Sequence, residues 1–188
     1  MALPPTPSQT IGPFFHFSLP YPGGERLVPP ADPDAVRIVG TVFDGAGEPV
    51  PDALVEVWQA NRAGRYAHPE DTRDEPPLEG GFTGFGRCPT DDEGRYEFVT
   101  VKPGAVPGPD GRPQAPHVMV TIFARGLLRQ LVTRVYFPDE VEANAADPIL
   151  ASVGDAAARS TLISRQSDDA LEFDIHLQGD RQTVFFDV

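Results

Sequence analysis

Cysteine is nearly absent from the sequence: Cys88 is the only one in 188 residues, so no disulfide can form within the chain. Chains without disulfides are typical of reducing compartments, and we therefore expect a cytoplasmic location. Long apolar runs are also missing, which argues against a membrane-spanning segment. Residues 1–17, MALPPTPSQTIGPFFHF, have neither the basic region nor the apolar stretch of a secretory signal.

Positive charge is scarce. The chain has 15 Lys and Arg against 28 Asp and Glu, a formal net charge of −13, and no cluster of basic residues. Binding to nucleic acid or to an anionic membrane surface is not expected, because both need a concentrated positive surface. An anionic ligand has to be held by a specific arginine against the repulsion of the whole protein.

Several catalytic motifs are missing as well. The sequence has no CxxC pair, HExxH motif, serine-hydrolase elbow or phosphate-binding loop. Two of its histidines, His16 and His68, have no neighbour at metal-ligand spacing, His176 reads as a packed or half-exposed strand residue, and no histidine can be placed beside Cys88 to activate it. The residues alone leave two classes of function open: a catalytic site that is incomplete in one chain, or a binding module.

Proline and glycine, by contrast, are abundant, at 22 and 18 residues, and they separate short runs rich in β-branched and aromatic residues. This pattern predicts an all-β domain, a two-sheet antiparallel β-sandwich over residues 36–188, with one helical stretch at about residues 139–164. Residues 1–35 contain nine prolines and little periodicity, which predicts an extended N-terminal arm. The aromatic residues of this arm pack either on the domain's own surface or on a partner chain.

The stretch QAPHVMVTIFARG, residues 114–126, reads as one strand. Strict alternation puts His117, Met119, Phe123 and Arg125 on the same face, and a histidine two residues before a thioether resembles part of a metal site. At roughly 3.3 Å per residue, however, an unbroken strand places His117 and Arg125 about 26 Å apart. The two residues therefore serve different sites, and Arg125 is either a ligand-binding group or a strand-end arginine paired with a surface carboxylate.

Three segments of the sequence together resemble the intradiol ring-cleavage dioxygenases. They are IVGTVFDGAGEPVPDALVEVWQANRAGRYAH (residues 38–68), GFGRCPTDDEGRYEFVTVKPG (residues 84–104) and APH (residues 115–117). The first segment is a specific signature, and the similarity extends from Ile38 to the C-terminus. Part of the first segment is also similar to transthyretin-like and carboxypeptidase-regulatory-like sandwiches, which keeps a non-catalytic binding module as the alternative.

The resemblance implies a metal site that is incomplete in this chain. Catalytic subunits of the family hold Fe(III) with two tyrosines and two histidines, a set of hard anionic oxygens and imidazoles that suits a ferric ion. The corresponding positions here are Tyr66, Val106, His117 and Met119, and an arginine of the family aligns with Gln114. We therefore expect no iron in this chain, Met119 as a pocket filler, and Tyr66 and His117 hydrogen-bonded to each other or to water.

The resemblance also implies a partner. Within the family, a chain of this kind pairs with a homologous beta subunit that carries the Fe(III), and alpha/beta units assemble further. The implied substrates of the complex are the aromatic acid protocatechuate and O₂, and this chain is inactive alone. The implied substrate-contacting residues are Thr10, Gly12, Pro13, Phe14 and Arg125, with Phe14 at a position where related chains have tyrosine.

Overall fold

The computed structural model describes residues 9–108 and 111–187, so the first eight residues of the predicted arm lie outside the described range. The arm contains one short helix, α1 (Phe14–Ser18), and the strands begin at Ala35. The strands of the domain are β1 (Ala35–Phe43), β2 (Leu54–Trp58), β3 (Phe85–Pro89), β4 (Arg95–Val101), β5 (Val106–Pro107), β6 (Pro113–Gln114), β7 (His117–Phe123), β8 (Leu131–Tyr136), β9 (Arg165–Gln166), β10 (Leu171–Glu172) and β11 (Ile175–His176). Three further helices, α2 (Val141–Ala146), α3 (Pro148–Ser152) and α4 (Ala156–Ser160), connect β8 to β9.

The predicted two-sheet sandwich is confirmed. The first sheet is built around β1, which pairs with β4, β10 and β11, while β9 pairs with β10. The second sheet has the order β3-β2-β7-β8 and is antiparallel throughout. The pairing of β1 with β10 and β11 is parallel, unlike the predicted antiparallel arrangement. Parallel pairing is possible here because β1 is not joined to β10 or β11 by a tight turn: the whole second sheet and the helices lie between them in the chain.

The core lies between the inner faces of the two sheets, where alternate residues of each strand are buried. From the first sheet it takes Ile38, Val42, Phe98 and Ile175, and from the second it takes Val55, Val57, Val118, Val120, Ile122 and Val135. Gly40 allows the close approach of β1 to the segment before β11, because a Cβ at this position would lie 1.9 Å from the Phe173 carbonyl oxygen.

The predicted helical stretch is divided into three short helices because two aspartates start new ones. Asp147 accepts hydrogen bonds from the backbone of Ile149 and Leu150, and Asp155 accepts one from Ala158. A second hydrophobic cluster holds these helices against the sheet through Tyr136, Leu150 and Leu162. In the described part of the chain, no helix is long and apolar enough to cross a membrane.

The second sheet also has an outer face, which is turned away from the core. It is formed by the residues that alternate with the core residues: Leu54, Glu56 and Trp58 on β2, His117, Met119, Thr121 and Phe123 on β7, and Val132, Arg134 and Tyr136 on β8. The arm covers one end of the outer face, and the loop after β2 covers the other.

Candidate functional site

The outer face has two ends that are held apart by a regular strand. The β2–β7 ladder runs without a bulge from Trp58 opposite Met119 to Leu54 opposite Phe123. At about 3.3 Å per residue, His117 and Phe123 are roughly 20 Å apart along this strand. Arg125 lies beyond Phe123, so it belongs to the end opposite His117, in agreement with the length argument from the sequence.

The arm is fixed to the Phe123 end of the outer face. The ring of Phe15 on α1 stacks on Phe123, with centroids 5.2 Å apart and an interplanar angle of 16°. Ile11 donates its backbone N–H to the Leu127 carbonyl at 2.7 Å. Nδ1 of His16 lies 3.1 Å from the Ala53 carbonyl oxygen. The described part of the arm therefore packs on the surface of its own domain.

Thr10 joins the arm to the loop that carries Arg125. Its Oγ1 accepts the N–H of Gly126 at 2.7 Å and that of Gly12 at 3.3 Å. Both glycines have positive φ, 72° at Gly12 and 86° at Gly126, a conformation that other residues adopt only with strain. A threonine hydroxyl has two acceptor positions and one donor, and the O–H of Thr10 has no acceptor among the described residues, so it can donate to a ligand.

The predicted substrate-contacting residues, Thr10, Gly12, Pro13, Phe14 and Arg125, form what we call the arm patch. Phe14 is 74% exposed, and the side chain of Arg125 is 62% exposed with its Nε 3.3 Å from Oδ2 of Asp52. The ion pair with Asp52 matches the alternative interpretation of Arg125, but it leaves most of the arginine accessible. Gly12 can only accept a hydrogen bond from a ligand, through its carbonyl oxygen, since its N–H is donated to Thr10.

At the other end of the outer face, Tyr66 covers Trp58. The two rings are stacked, with centroids 5.9 Å apart. Asp71 accepts the backbone N–H of Tyr66 at 2.9 Å and is itself bound by Arg73, which fixes the loop. Burial raises the pKa of the Tyr66 hydroxyl, against the opposing effect of the positive charge of Arg134. A cavity of about 440 Å³ lies beside these rings and is lined by Trp58, Tyr66, His68, Arg73, Val106 and Pro107, among others.

His117 is buried and committed to local contacts. Its Nδ1 lies 2.8 Å from the Ala115 carbonyl oxygen, and its ring lies 5.6 Å from that of Tyr136. Burial, and then the positive charge of Arg134, lower the pKa of His117 to about 4. His117 and Tyr66 do not hydrogen-bond to each other: His117 faces Tyr136, while Tyr66 stacks on Trp58. The other expectation, hydrogen bonds from these residues to water, stays a prediction.

Arg134 is the residue that sequence reasoning missed. It lies on β8 directly opposite Met119, and its Nη1 donates to Oε1 of Gln114 at 2.7 Å and to the Tyr136 hydroxyl at 3.2 Å. Its guanidinium carbon is 5.8 Å from the centre of the Phe186 ring. The available signal was an arginine inside the mostly apolar strand LVTRVY, but which residue it faces depends on the register between β7 and β8.

The donor set at this end does not fit a ferric ion. Val106 has no donor atom, and Met119 offers a soft thioether. Met119 also has a guanidinium as its cross-strand neighbour, and a fixed positive charge opposes a metal cation. Within residues 9–108 and 111–187, no group of three or more His, Cys, Asp or Glu side chains is arranged to hold a metal.

Comparison with known proteins places the chain in a family. A family model described as Dioxygenase matches residues 24–179. The chain is 42% identical over 200 residues to the protocatechuate 3,4-dioxygenase alpha chain of Burkholderia cepacia, covering 97% of both chains. It is 45% identical over 169 residues to the beta chain from the same organism, covering 84% of this chain and 66% of that one.

A solved structure agrees with these likenesses. The dioxygenase domain of a dioxygenase carbohydrate-binding fusion from Streptomyces sp. SirexAA-E matches with a TM-score of 0.58 and 28% identity, covering 94% of this chain and 99% of that one. The chain therefore belongs to the intradiol ring-cleavage dioxygenases, a family of iron-dependent oxidoreductases. This membership is the reason to prefer an enzyme subunit over the binding-module alternative.

The role of Thr10 in holding the arm to the loop that carries Arg125 can be tested by hydrogen exchange. Thr10→Val removes the acceptor for Gly126 while keeping the shape of the side chain, and the loss of one hydrogen bond costs about 0.5 to 1.5 kcal/mol. We expect faster exchange of the Gly126 and Ile11 amides in this variant, and near-normal exchange in Thr10→Ser. Equal protection of these amides in all three proteins would show that Thr10 does not hold the arm.

The buried His117 predicts a loss of stability in acid. The folded chain keeps this imidazole neutral down to about pH 4, whereas the unfolded chain binds the proton near the ordinary pKa, so stability is complete above that pKa and falls as the pH drops. Between pH 7.5 and 4.5 the contribution of His117 is about 2 to 3 kcal/mol. Denaturant unfolding of wild type and His117→Asn at both pH values measures it. An equal acid loss in the two proteins would contradict the assignment.

Proposed function

We propose that this chain is the alpha subunit of a protocatechuate 3,4-dioxygenase, which opens the ring of protocatechuate with O₂ to give 3-carboxy-cis,cis-muconate. The observation that carries the proposal is the arm patch. Thr10 holds the arm against the Arg125 loop through Gly126, so that the residues assigned to the substrate are neighbours in one chain. The near full-length likeness to an alpha chain supports the same role.

In this proposal Arg125 supplies positive charge to an anionic substrate. The whole chain carries a formal charge of −13 and repels a carboxylate at long range, so binding requires a local cation. The guanidinium of Arg125 is exposed and pairs with Asp52 at Nε, so its outer N–H groups can bind a carboxylate. Thr10 contributes a hydroxyl donor and Gly12 a carbonyl acceptor.

The proposed partner is a homologous beta subunit, in line with the likeness of this chain to a beta chain as well as to an alpha chain. The surface around the arm patch exposes three large apolar side chains, Phe14 at 74%, Phe17 at 73% and Leu128 at 66%. Exposed aromatic groups beside a polar site are typical of a protein interface. We assign the described arm to this interface, with Phe14 against the substrate pocket, and we expect alpha/beta units to assemble further.

The iron of the complex is assigned to the beta subunit, because the positions in this chain do not supply a ferric ligand set. Bound there, the iron supplies the chemistry that makes the catechol ring reactive toward O₂. This chain provides a wall of the pocket: it binds and orients the aromatic acid, and it closes the site against water. A cytoplasmic location remains a prediction from the single cysteine.

Co-expression tests the proposed function. The chain is produced alone and together with an iron-bearing beta chain from the same source, and the purified material is assayed for iron, red ferric–phenolate colour and protocatechuate-dependent O₂ uptake. We expect a colourless chain alone and a coloured, active complex that contains both chains. Iron and activity in this chain alone would contradict the proposal, and so would failure to associate with any homologous chain.

The role of Arg125 can be measured in the complex. Arg125→Ala should lower kcat/KM for protocatechuate about 10- to 100-fold, the effect of losing a charged hydrogen bond, while the iron content stays unchanged. Arg129→Ala is the matched control, since Arg129 lies on the same loop, is 70% exposed and pairs with Asp187. Unaltered kinetics, or loss of iron from an intact complex, would remove Arg125 from the substrate pocket.

A further inference from the structure

The neighbours of Arg134 define where its side chain lies. These neighbours pair across the strands with the positions at which the family's catalytic subunits have metal ligands. Arg134 itself is the cross-strand partner of Met119. It donates to Tyr136, which is the cross-strand partner of His117. It also donates to Gln114, which pairs with Val106 across the small β5–β6 sheet.

The side chain of Arg134 therefore lies beside this end of the outer face, in contact with the cross-strand partners of His117 and Val106 and opposite Met119. Its charge also acts on the fourth position, since it opposes the rise in the pKa of the Tyr66 hydroxyl.

A buried carboxylate completes the arrangement. Asp147 is fully buried and accepts the backbone N–H groups of Ala115, Ile149 and Leu150, each at 2.8 Å. The hydroxyl of Tyr136 donates to Asp147 at 3.3 Å and accepts from Arg134. The guanidinium is thus connected to a buried negative charge through one tyrosine hydroxyl, and buried charges persist when they are compensated in this way.

From this geometry we infer that Arg134 takes the place of the metal ion in this chain, as a fixed, half-buried cation that stabilises the pocket and keeps metal cations out. The missing donors at Val106 and Met119 are then only part of the reason why the site does not suit iron. The inference rests on family membership and on the contacts of Arg134, and it does not depend on the substrate assigned to the complex.

The remaining donors make the inference testable. Tyr66 is present, and the contact of His117 Nδ1 with Ala115 leaves Nε2 as the nitrogen that can bind a metal. The substitutions Val106→Tyr and Met119→His restore the family's ligand types. If Arg134 excludes cations, restoring these donors is not sufficient, and the arginine must also be replaced.

The experiment compares three forms of the full chain: Val106→Tyr/Met119→His alone, the same pair with Arg134→Gln, and the same pair with Arg134→Lys, which keeps the charge. Each is incubated with ferric ion and separated from free metal, and bound iron and ferric–phenolate absorption are measured. We expect about tenfold or more bound iron in the Arg134→Gln form than in the other two, because a unit charge a few ångströms from the metal opposes binding by more than one decade.

Each outcome decides the matter. Equal iron in all three forms would overturn the inference, and so would iron in none of them, because something other than Arg134 would then control the site. Circular dichroism establishes that the variants are folded. A second replacement covers a failure of the Arg134→Gln form to fold: Arg134→Met in the same pair also removes the charge and should bind as much iron as the Arg134→Gln form. Iron in this form no higher than in the Arg134→Lys form would overturn the inference.

Discussion

The continuous ladder that holds β7 between β2 and β8 is the constraint on which both ends of the outer face depend. Because side chains alternate along a strand, a slip of one residue would turn Met119 and Phe123 into the core and bring Val118 and Ile122 to the surface. The buried valines and isoleucine of the inner face prevent such a slip. The same ladder keeps the Arg125 end and the His117 end about 20 Å apart, so substitutions at one end need not alter the contacts at the other.

Two arginines on this face of a strongly acidic chain differ in exposure and in their contacts. Arg125 stands at the strand end, mostly exposed, with one contact to Asp52 that a ligand can supplement. Arg134 is half-buried on the outer face and contacts Gln114, Tyr136 and the ring of Phe186. The difference arises from burial and from the neighbours across the strands. The first arginine is suited to recognition, and the second replaces a cation that the ligand set no longer supports.

The sequence predicts the fold well, since the fold depends on local signals, whereas the substrate role of the arm patch stays a prediction. Alternating apolar residues and turn residues indicate the sandwich, and the separation of His117 from Arg125 follows from strand length alone. The sequence could not decide whether Tyr66 and His117 meet, because both belong to the same family motif set, whereas their neighbours in the fold are Trp58 and Tyr136. Arg134 was missed because the run LVTRVY does not show which residue of the neighbouring strand lies opposite the arginine.

By itself, the sequence determined what donors and charges this chain possesses: a single cysteine, few basic residues, a valine and a methionine at two metal-ligand positions, and an arm rich in proline and aromatic residues. These are properties of composition and of order along the chain. Only the tertiary structure decided which of them meet. Residues from different elements are joined by the cross-strand pairing of Met119 with Arg134, the hydrogen bond from Gly126 to Thr10 and the hydrogen bond from Tyr136 to Asp147. Such contacts depend on strand register and on packing between elements, which no single stretch of sequence specifies.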